Sequence, residues 1–291
     1  MHELPVYYES RIVGTIEVHA EGPAFVYAPE WLGTRGAFQL SILMPLSPRR
    51  VPPKIFLPWA ANLLPESSQL RAIGLQLGAA PEDVVAILAE LGRDTAGALS
   101  IGKPGSTSSA GWRPVKSGKE LERIIEELPS KPFLVGEDGV SMSLAGVQTK
   151  IGVAIDDKGR TCVPVNGAPS TYILKPGSQQ LFGGVQNEAL CVVLAKRIGL
   201  NAPEVTTGVA GGRDYLLVTR YDRLEQNGRW RRLHQEDFCQ ALGKPPSAKY
   251  ESNQTGIAGP TLPELFALTR NAMCAPDVVN LLDYVIFNAV S

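Results

Sequence analysis

The strongest constraint on the fold lies between Lys150 and Asp222. Three short apolar runs, "KIGVAI", "TCVPV" and "TYILK", precede a helical segment from about Asn187 to Ile198 that Gly199 ends. The strand "YLLVTRYD" follows. Strand, strand, strand, helix, strand is an order found in many α+β domains.

The flanking segments are of two kinds. Before residue 101, short strands alternate with turns. Ile12, Gly14, Ile16 and Val18 share a period-two face, "AFVYA" (24–28) is stopped by Pro29, and "LSILMPL" (40–46) by Pro48. One helix is expected after "NLLPES", carrying Leu70, Ile73 and Leu77. Another starts at Pro81 and buries Val84, Ile87, Leu88 and Leu91, with Gly92 as its cap. "GKPGSTSSAGWRPVKSG" (102–118) reads as a linker. Ser117 and Glu120 then form a capping box for a helix with Leu121, Ile124, Ile125 and Leu128 on one face. From "HQEDFCQALG" onward the pattern is helical. The expected division is 1–101, a linker at 102–118, a unit at 119–240, and the start of a helical unit at 241–291.

Composition narrows the function classes. A net charge of −1 offers no global attraction to nucleic acid or anionic membrane. "SPRRVPPK" (47–54) reads either as a phosphate contact or as a solvated, proline-stiffened loop. Four scattered cysteines without a CxxC pair, and three histidines, argue against a zinc cluster. Cys191 and Cys239 fall in apolar helical patterns and read as buried thiols. "MHELPVYYES" lacks the features of a signal peptide, and the last apolar stretch, broken by Asp283 and Asn288, is too short to span a bilayer. A cytoplasmic, reduced protein is expected.

A protein kinase's nucleotide lobe needs a hairpin over the phosphates, a strand lysine, a helix glutamate and a strand into the hinge. "SMSLAGVQTK" (141–150) surrounds Gly146 with small and hydroxyl residues, so it is either a phosphate cradle or an ordinary turn. Lys150 reads as a phosphate partner or an exposed charge. Lys175, on the same strand face as Ile173, reads as an α/β-phosphate ligand or an edge lysine. Glu188, after the candidate N-cap Asn187, either orients Lys175 or stabilises the positive helix end. "TRYDR" (219–223) reads as an adenine hinge or, through Asp222 between Arg220 and Arg223, as a surface ion-pair cluster.

Ten motifs in order resemble the HipA family of serine/threonine kinase toxins: "VGTI", "FVYAPEWL", "LSILMPL", "NLLPES", "LGRDTAGAL", "SLAGVQTK", "ILKPG", "QNEALCVVLAKRIGL", "VTRYDR", and "QEDFCQALG" followed by "KYES". The resemblance implies an α+β, protein-kinase-like lobe with an extra N-terminal α/β subdomain and the start of an all-helical lobe. It implies ATP and Mg2+ as cofactors. Ser143, Ala145, Gly146, Val147, Gln148 and Lys150 match the phosphate loop, and Ser143 matches the autophosphorylated serine. Lys175 matches the nucleotide-binding lysine and Glu188 its partner. Thr219, Tyr221 and Asp222 match the hinge, although the family more often carries an acid at the position of Thr219.

The implied partners are a protein substrate, a glutamyl-tRNA synthetase in the best-known case, and a HipB-like helix-turn-helix antitoxin through which DNA is reached indirectly. The family's Asp-Gly-His-x-Lys-Asn-like catalytic loop is expected after Ser291, beyond "FNAVS", so no residue here matches the catalytic base or a metal ligand. The last helix is apolar around most of its circumference through Val279, Leu281, Leu282, Val285, Ile286, Phe287 and Val290. It is expected to reach Ser291 without a cap and to need cover from further chain. This reading makes the 291 residues an inactive fragment of a kinase. The alternative is a non-enzymatic remnant that binds the antitoxin or another partner.

Overall fold

The structure is a computed structural model describing residues 3–102, 110–178 and 182–291. Strands β1 (Glu3–Tyr8), β2 (Arg11–His19), β3 (Gly22–Tyr27) and β4 (Leu99–Ile101) form an antiparallel sheet in the order β3-β2-β1-β4. The period-two face expected along β2 is interrupted. Val6 pairs with Gly14 and Tyr7 with Ile12, so Val13 is an unpaired bulge residue and turns inward, fully buried. Ile12 and Val18 are left exposed, while Gly14 and Ile16 are buried.

Helices α1 (Pro29–Leu32), α2 (Pro53–Ala61), α3 (Ser67–Leu77) and α4 (Val84–Leu91) follow the first three strands. "LSILMPL" is a turn rather than a strand: the Met44 N–H donates to the Ser41 carbonyl at 2.9 Å, and only Leu40, Ser41 and Met44 of its residues are buried. The second half of "SPRRVPPK" enters α2, and Arg49 and Arg50 lie exposed. Helix α3 covers the expected residues. Helix α4 begins three residues later than expected, because Asp83 caps it by accepting the Ala86 N–H at 3.0 Å.

The linker reading partly lies outside the described residues, at 103–109. Its second half is not a linker: β5 (Gly111–Pro114) pairs with the strand at 161–165. Helix α5 (Gly118–Glu127) buries Leu121, Ile124 and Ile125. Ser117 caps it, but the Glu120 carboxylate accepts from the Lys116 N–H, one residue earlier than a standard capping box.

A second sheet adds β6 (Ile151–Ile155), β7 (Thr161–Val165), β8 (Tyr172–Pro176), β9 (Val205–Ala210) and β10 (Arg213–Thr219). Its order among the described residues is β5-β7-β6-β8-β10-β9, with every neighbour antiparallel. Helix α6 (Gly184–Arg197) packs on β9 and β10. A hairpin, β11 (Arg223–Gln226) and β12 (Arg229–Arg232), leads to helices α7 (Phe238–Ala241), α8 (Leu262–Ala272) and α9 (Ala275–Val290). One apolar core runs from Val6, Phe25 and Trp59 in the first unit through Leu63, Met142 and Leu144 to Leu174 in the second. Cys239 is buried, whereas Cys191 is only half-buried.

No residue of α9 is buried; Val279, Leu282, Ile286 and Val290 are exposed. The exposed Ser291 follows the last helical residue, and its backbone N–H donates to the Phe287 carbonyl at 3.0 Å, the helix's ordinary i→i−4 bond. Among the described residues no helix is long and apolar enough to cross a membrane.

Candidate functional site

Strand β8 lies inside the second sheet, between β6 and β10, so Lys175 is not an edge residue. Its neighbour Leu174 is fully buried between Ile151 and Leu217, which fixes the register and turns Lys175 to the other face. There its Nζ meets the Glu188 carboxylate at 2.5 Å, both side chains half-buried.

The two readings of Glu188 separate at this point. Asn187 is not the N-cap. The helix begins a turn earlier, at Gly183, whose left-handed φ of 75° turns the chain into α6, and the buried Val185 anchors the added turn. Glu188 is therefore past the first turn, where the positive helix end has little hold on it. What it contacts is Lys175.

The segment 141–150 is a loop seated deep between the two units. The fully buried Ser143 donates its hydroxyl to the Leu63 carbonyl at 2.8 Å, and its N–H to the Asp94 carbonyl at 3.0 Å. Gly146 holds φ at +107°, which a side chain rarely tolerates, and a Cβ there would lie 3.1 Å from the Lys150 ammonium. That ammonium is buried and donates to the Ala145 carbonyl at 2.9 Å. Burial, with Lys175 and Lys249 adding repulsion, lowers its pKa to about 8. Ala145, Val147 and Gln148 are exposed on the outer turn of the loop. From α3, the buried Gln69 amide donates to the Val147 carbonyl at 2.8 Å. Nothing in the sequence pattern around Gln69 marks this clamp.

At the end of β10, the Thr219 N–H donates to the Glu204 carbonyl and the Arg220 N–H to the Thr171 carbonyl. Tyr221 is exposed, with its hydroxyl bonded to the Gln235 side chain. Asp222 forms the expected ion pairs with Arg220 and Arg223, but not on the surface. Its carboxylate faces neither a ligand nor water. It accepts the Gly97 N–H at 2.7 Å, binds Arg220 at 2.6 Å and lies 3.0 Å from Arg223. The cluster expected on the surface is buried, and it is larger than the sequence suggested.

Asp94, from "LGRDTAGAL", binds Arg223 at 2.9 Å, Arg232 at 3.1 Å and the Ser170 hydroxyl at 2.6 Å. Arg220 and Arg223 both donate to the Thr95 carbonyl. Burial alone would raise the Asp94 carboxyl, but Arg223, Arg232, Arg220 and Ser170 outweigh it and hold it well below the usual range. Asp222 is likewise raised by burial and more strongly lowered by Arg220 and Arg223. Arg223 is pushed down to about 10, first by burial and then by Arg220.

The structure thus brings a half-buried Lys–Glu pair within electrostatic reach of Lys150 in the glycine-bearing loop, while Thr219 stands at the other end of the β8–β10 ladder, opposite Tyr172. Basic side chains and close backbone approach suit this region to phosphate. Among the described residues no group of three or more His, Cys, Asp or Glu side chains is placed to hold a metal ion.

Comparison with known proteins identifies the family. Residues 4–102 match the HipA N-terminal domain and residues 142–291 the HipA-like C-terminal domain. A candidate kinase of Sinorhizobium fredii, Y4mE, is 38% identical over 99% of this chain and 70% of its own length. The serine/threonine-protein kinase toxin HipA of Shewanella oneidensis is 28% identical over 99% of this chain and 68% of its own. A solved complex of Shewanella oneidensis MR-1 HipA, HipB and operator DNA contains a chain that superposes with a TM-score of 0.79. That chain is 28% identical, and the match covers 98% of this chain and 68% of the other. With both domain matches in their order, a relative at 38% identity and a shared kinase-like α+β fold, the chain belongs to the HipA family.

Proposed function

We propose that this chain carries the ATP-binding part of a serine/threonine protein kinase of the toxin–antitoxin type. The observation that carries the reading is the Lys175–Glu188 pair on the strand–helix unit beside the loop 143–150. Lys175 serves the α- and β-phosphates as a point charge, held in place by Glu188. Gly146, with Ala145, Val147, Gln148 and Lys150, forms the phosphate loop, and the backbone at Thr219 and Tyr221 receives adenine. Phosphoryl transfer depends on positioning and on neutralising charge, both of which this cradle supplies in part.

In the same reading, Ser143 is the site of autophosphorylation. A dianionic phosphate cannot share the closed pocket that holds this hydroxyl against the Leu63 carbonyl. Modification and the inward loop therefore exclude one another. The partners are a protein substrate, by family resemblance a glutamyl-tRNA synthetase, and a helix-turn-helix antitoxin that carries the complex to DNA. The HipA–HipB–DNA complex of the Shewanella relative supports the latter. The catalytic base and the Mg2+ ligands are not assigned to any residue up to Ser291, so these 291 residues bind ATP without transferring its phosphate.

Calorimetry with ATP tests this. Wild-type chain binds, and Lys175→Ala binds about 10- to 100-fold more weakly, the equivalent of one charge-assisted hydrogen bond of roughly 1.5–3 kcal/mol. Equal affinities for wild type and Lys175→Ala would remove the lysine from the site. Phosphate transfer to Ser143 by this chain alone would overturn the division of labour.

A further inference from the structure

Asp94 has bonds to segments that lead into the loop at 141–150, into strand β8 and out of strand β10. Its backbone carbonyl accepts the Ser143 N–H at 3.0 Å, and a parallel bridge pairs it with Met142, so it seats the phosphate loop. One carboxylate oxygen accepts both the Ser170 N–H at 3.0 Å and the Ser170 hydroxyl at 2.6 Å, just before the strand that carries Lys175. The other accepts Arg223 at 2.9 Å and Arg232 at 3.1 Å. Arg220 and Arg223 bracket Tyr221. Arg220 reaches the Ser170 hydroxyl at 2.9 Å and the Thr95 carbonyl at 2.9 Å. Arg223 reaches the carbonyls of Ser170, Gly97 and Thr95.

From these bonds we infer that Asp94 is a positioning residue, which fixes the phosphate loop, the lysine strand and the hinge relative to one another. The inference rests on the ATP-site reading for its functional meaning, but the mechanical tie stands on its own bonds. Asp94, Ser170, Arg220 and Arg223 are all buried, out of reach of the solvent that could replace a lost partner. Removing one link leaves the others with unsatisfied groups. The loop at 141–150 lies outside every named helix and strand and is tied to this cluster through the Asp94 carbonyl, so a lost link is expected to show there.

This gives the N-terminal unit a specific task. Through residues 94–97, and through Gln69 at the Val147 carbonyl, it sets where the groups proposed to meet the phosphates stand. The core shared between the two sheets serves the same end from the apolar side.

The test is hydrogen exchange on the complete 291-residue chain without ligand, combined with ATP and adenosine binding. Ser170→Ala removes the hydroxyl between Asp94 and Arg220, and Asp94→Asn removes the carboxylate. Both are expected to speed exchange in peptides spanning 141–150 by at least about 10-fold more than in β2 and β3, where Asp94→Asn also acts through lost global stability. Both are also expected to lower the ratio of ATP affinity to adenosine affinity, because adenosine lacks the phosphates that the loop serves. Unchanged exchange in 141–150, or a uniform rise across the chain, overturns the inference. If Asp94→Asn does not fold, Ser170→Ala decides alone. A wild-type chain that binds neither ATP nor adenosine defeats the ATP-site reading, while the ligand-free exchange still decides the tie.

Discussion

Charge balance in the buried cluster leads to an ordering of variants that side-chain shape would not give. Three guanidiniums, those of Arg220, Arg223 and Arg232, face two carboxylates, those of Asp94 and Asp222. Asp94→Asn keeps the shape but leaves three positive groups against one negative. It also turns an amide N–H2 towards neighbours that are themselves donors. Breaking a buried pair in this way costs about 3–5 kcal/mol, and the added donor conflict places Asp94→Asn near ~5 kcal/mol.

Arg223→Met removes a larger group with five hydrogen bonds, yet leaves two charges facing two. Asp94 retains Arg232 and Ser170, and the Thr95 carbonyl retains Arg220. The main loss falls on the carbonyls of Gly97 and Ser170, at about 3 kcal/mol together. At roughly 2–4 °C per kcal/mol, Arg223→Met melts about 6–12 °C below wild type and Asp94→Asn about 10–20 °C below. The double variant restores the single excess positive charge and is milder than the sum of its parts by about 1–2 kcal/mol. Thermal and urea unfolding followed by circular dichroism measure all three. Asp94→Asn melting at or above Arg223→Met, or strict additivity, would refute the charge-balance reasoning.

Three further expectations follow from the same geometry. Because Asp94 and Asp222 are held below their unfolded values, their stabilisation is present above about pH 4 and is lost as pH falls through their folded range. Wild type therefore loses melting temperature in acid more steeply than Asp94→Asn does. Lys150, lowered to about 8 chiefly by burial, binds a proton less readily folded than unfolded, so stability should rise between about pH 8 and 10. A phosphate beside Lys150 reverses that preference. ADP affinity should then fall about 5-fold from pH 8 to 9 with proton uptake on binding, and calorimetry in buffers of different ionisation enthalpy should find neither effect in Lys150→Met. Gly146→Ala forces a side chain into φ +107° against the Lys150 ammonium, a strain of about 1–3 kcal/mol, and should weaken ATP binding while β2 and β3 keep their exchange protection.

The sequence alone determined the elements whose cause is local. Helix α5 reads directly from Leu121, Ile124 and Ile125, since one apolar stripe at helical spacing permits little else. Gly199 ends α6 as expected, with φ +95° beyond the last turn. The order of strands and helix was visible too, though the resemblance of the ten motifs, and not that order, made the lobe kinase-like. Lys175 and Glu188 were visible as candidates, and packing added their contact with one another.

Tertiary structure decided what depends on distant partners. The bulge at Val13 follows from the pairing of β1 with β2, and the turn at 41–44 from burial of Leu40 and Met44; neither leaves a periodic trace. Helix α6 gained its first turn because Gly183 could take a left-handed conformation and Val185 found a buried seat. The cluster around Asp94 lay furthest from view. Asp94 and Arg223 are 129 residues apart, and a charged residue carries no local sign of whether its partners will follow it out of water. Folding alone brings three arginines and two aspartates to one point, where mutual neutralisation makes their burial tolerable.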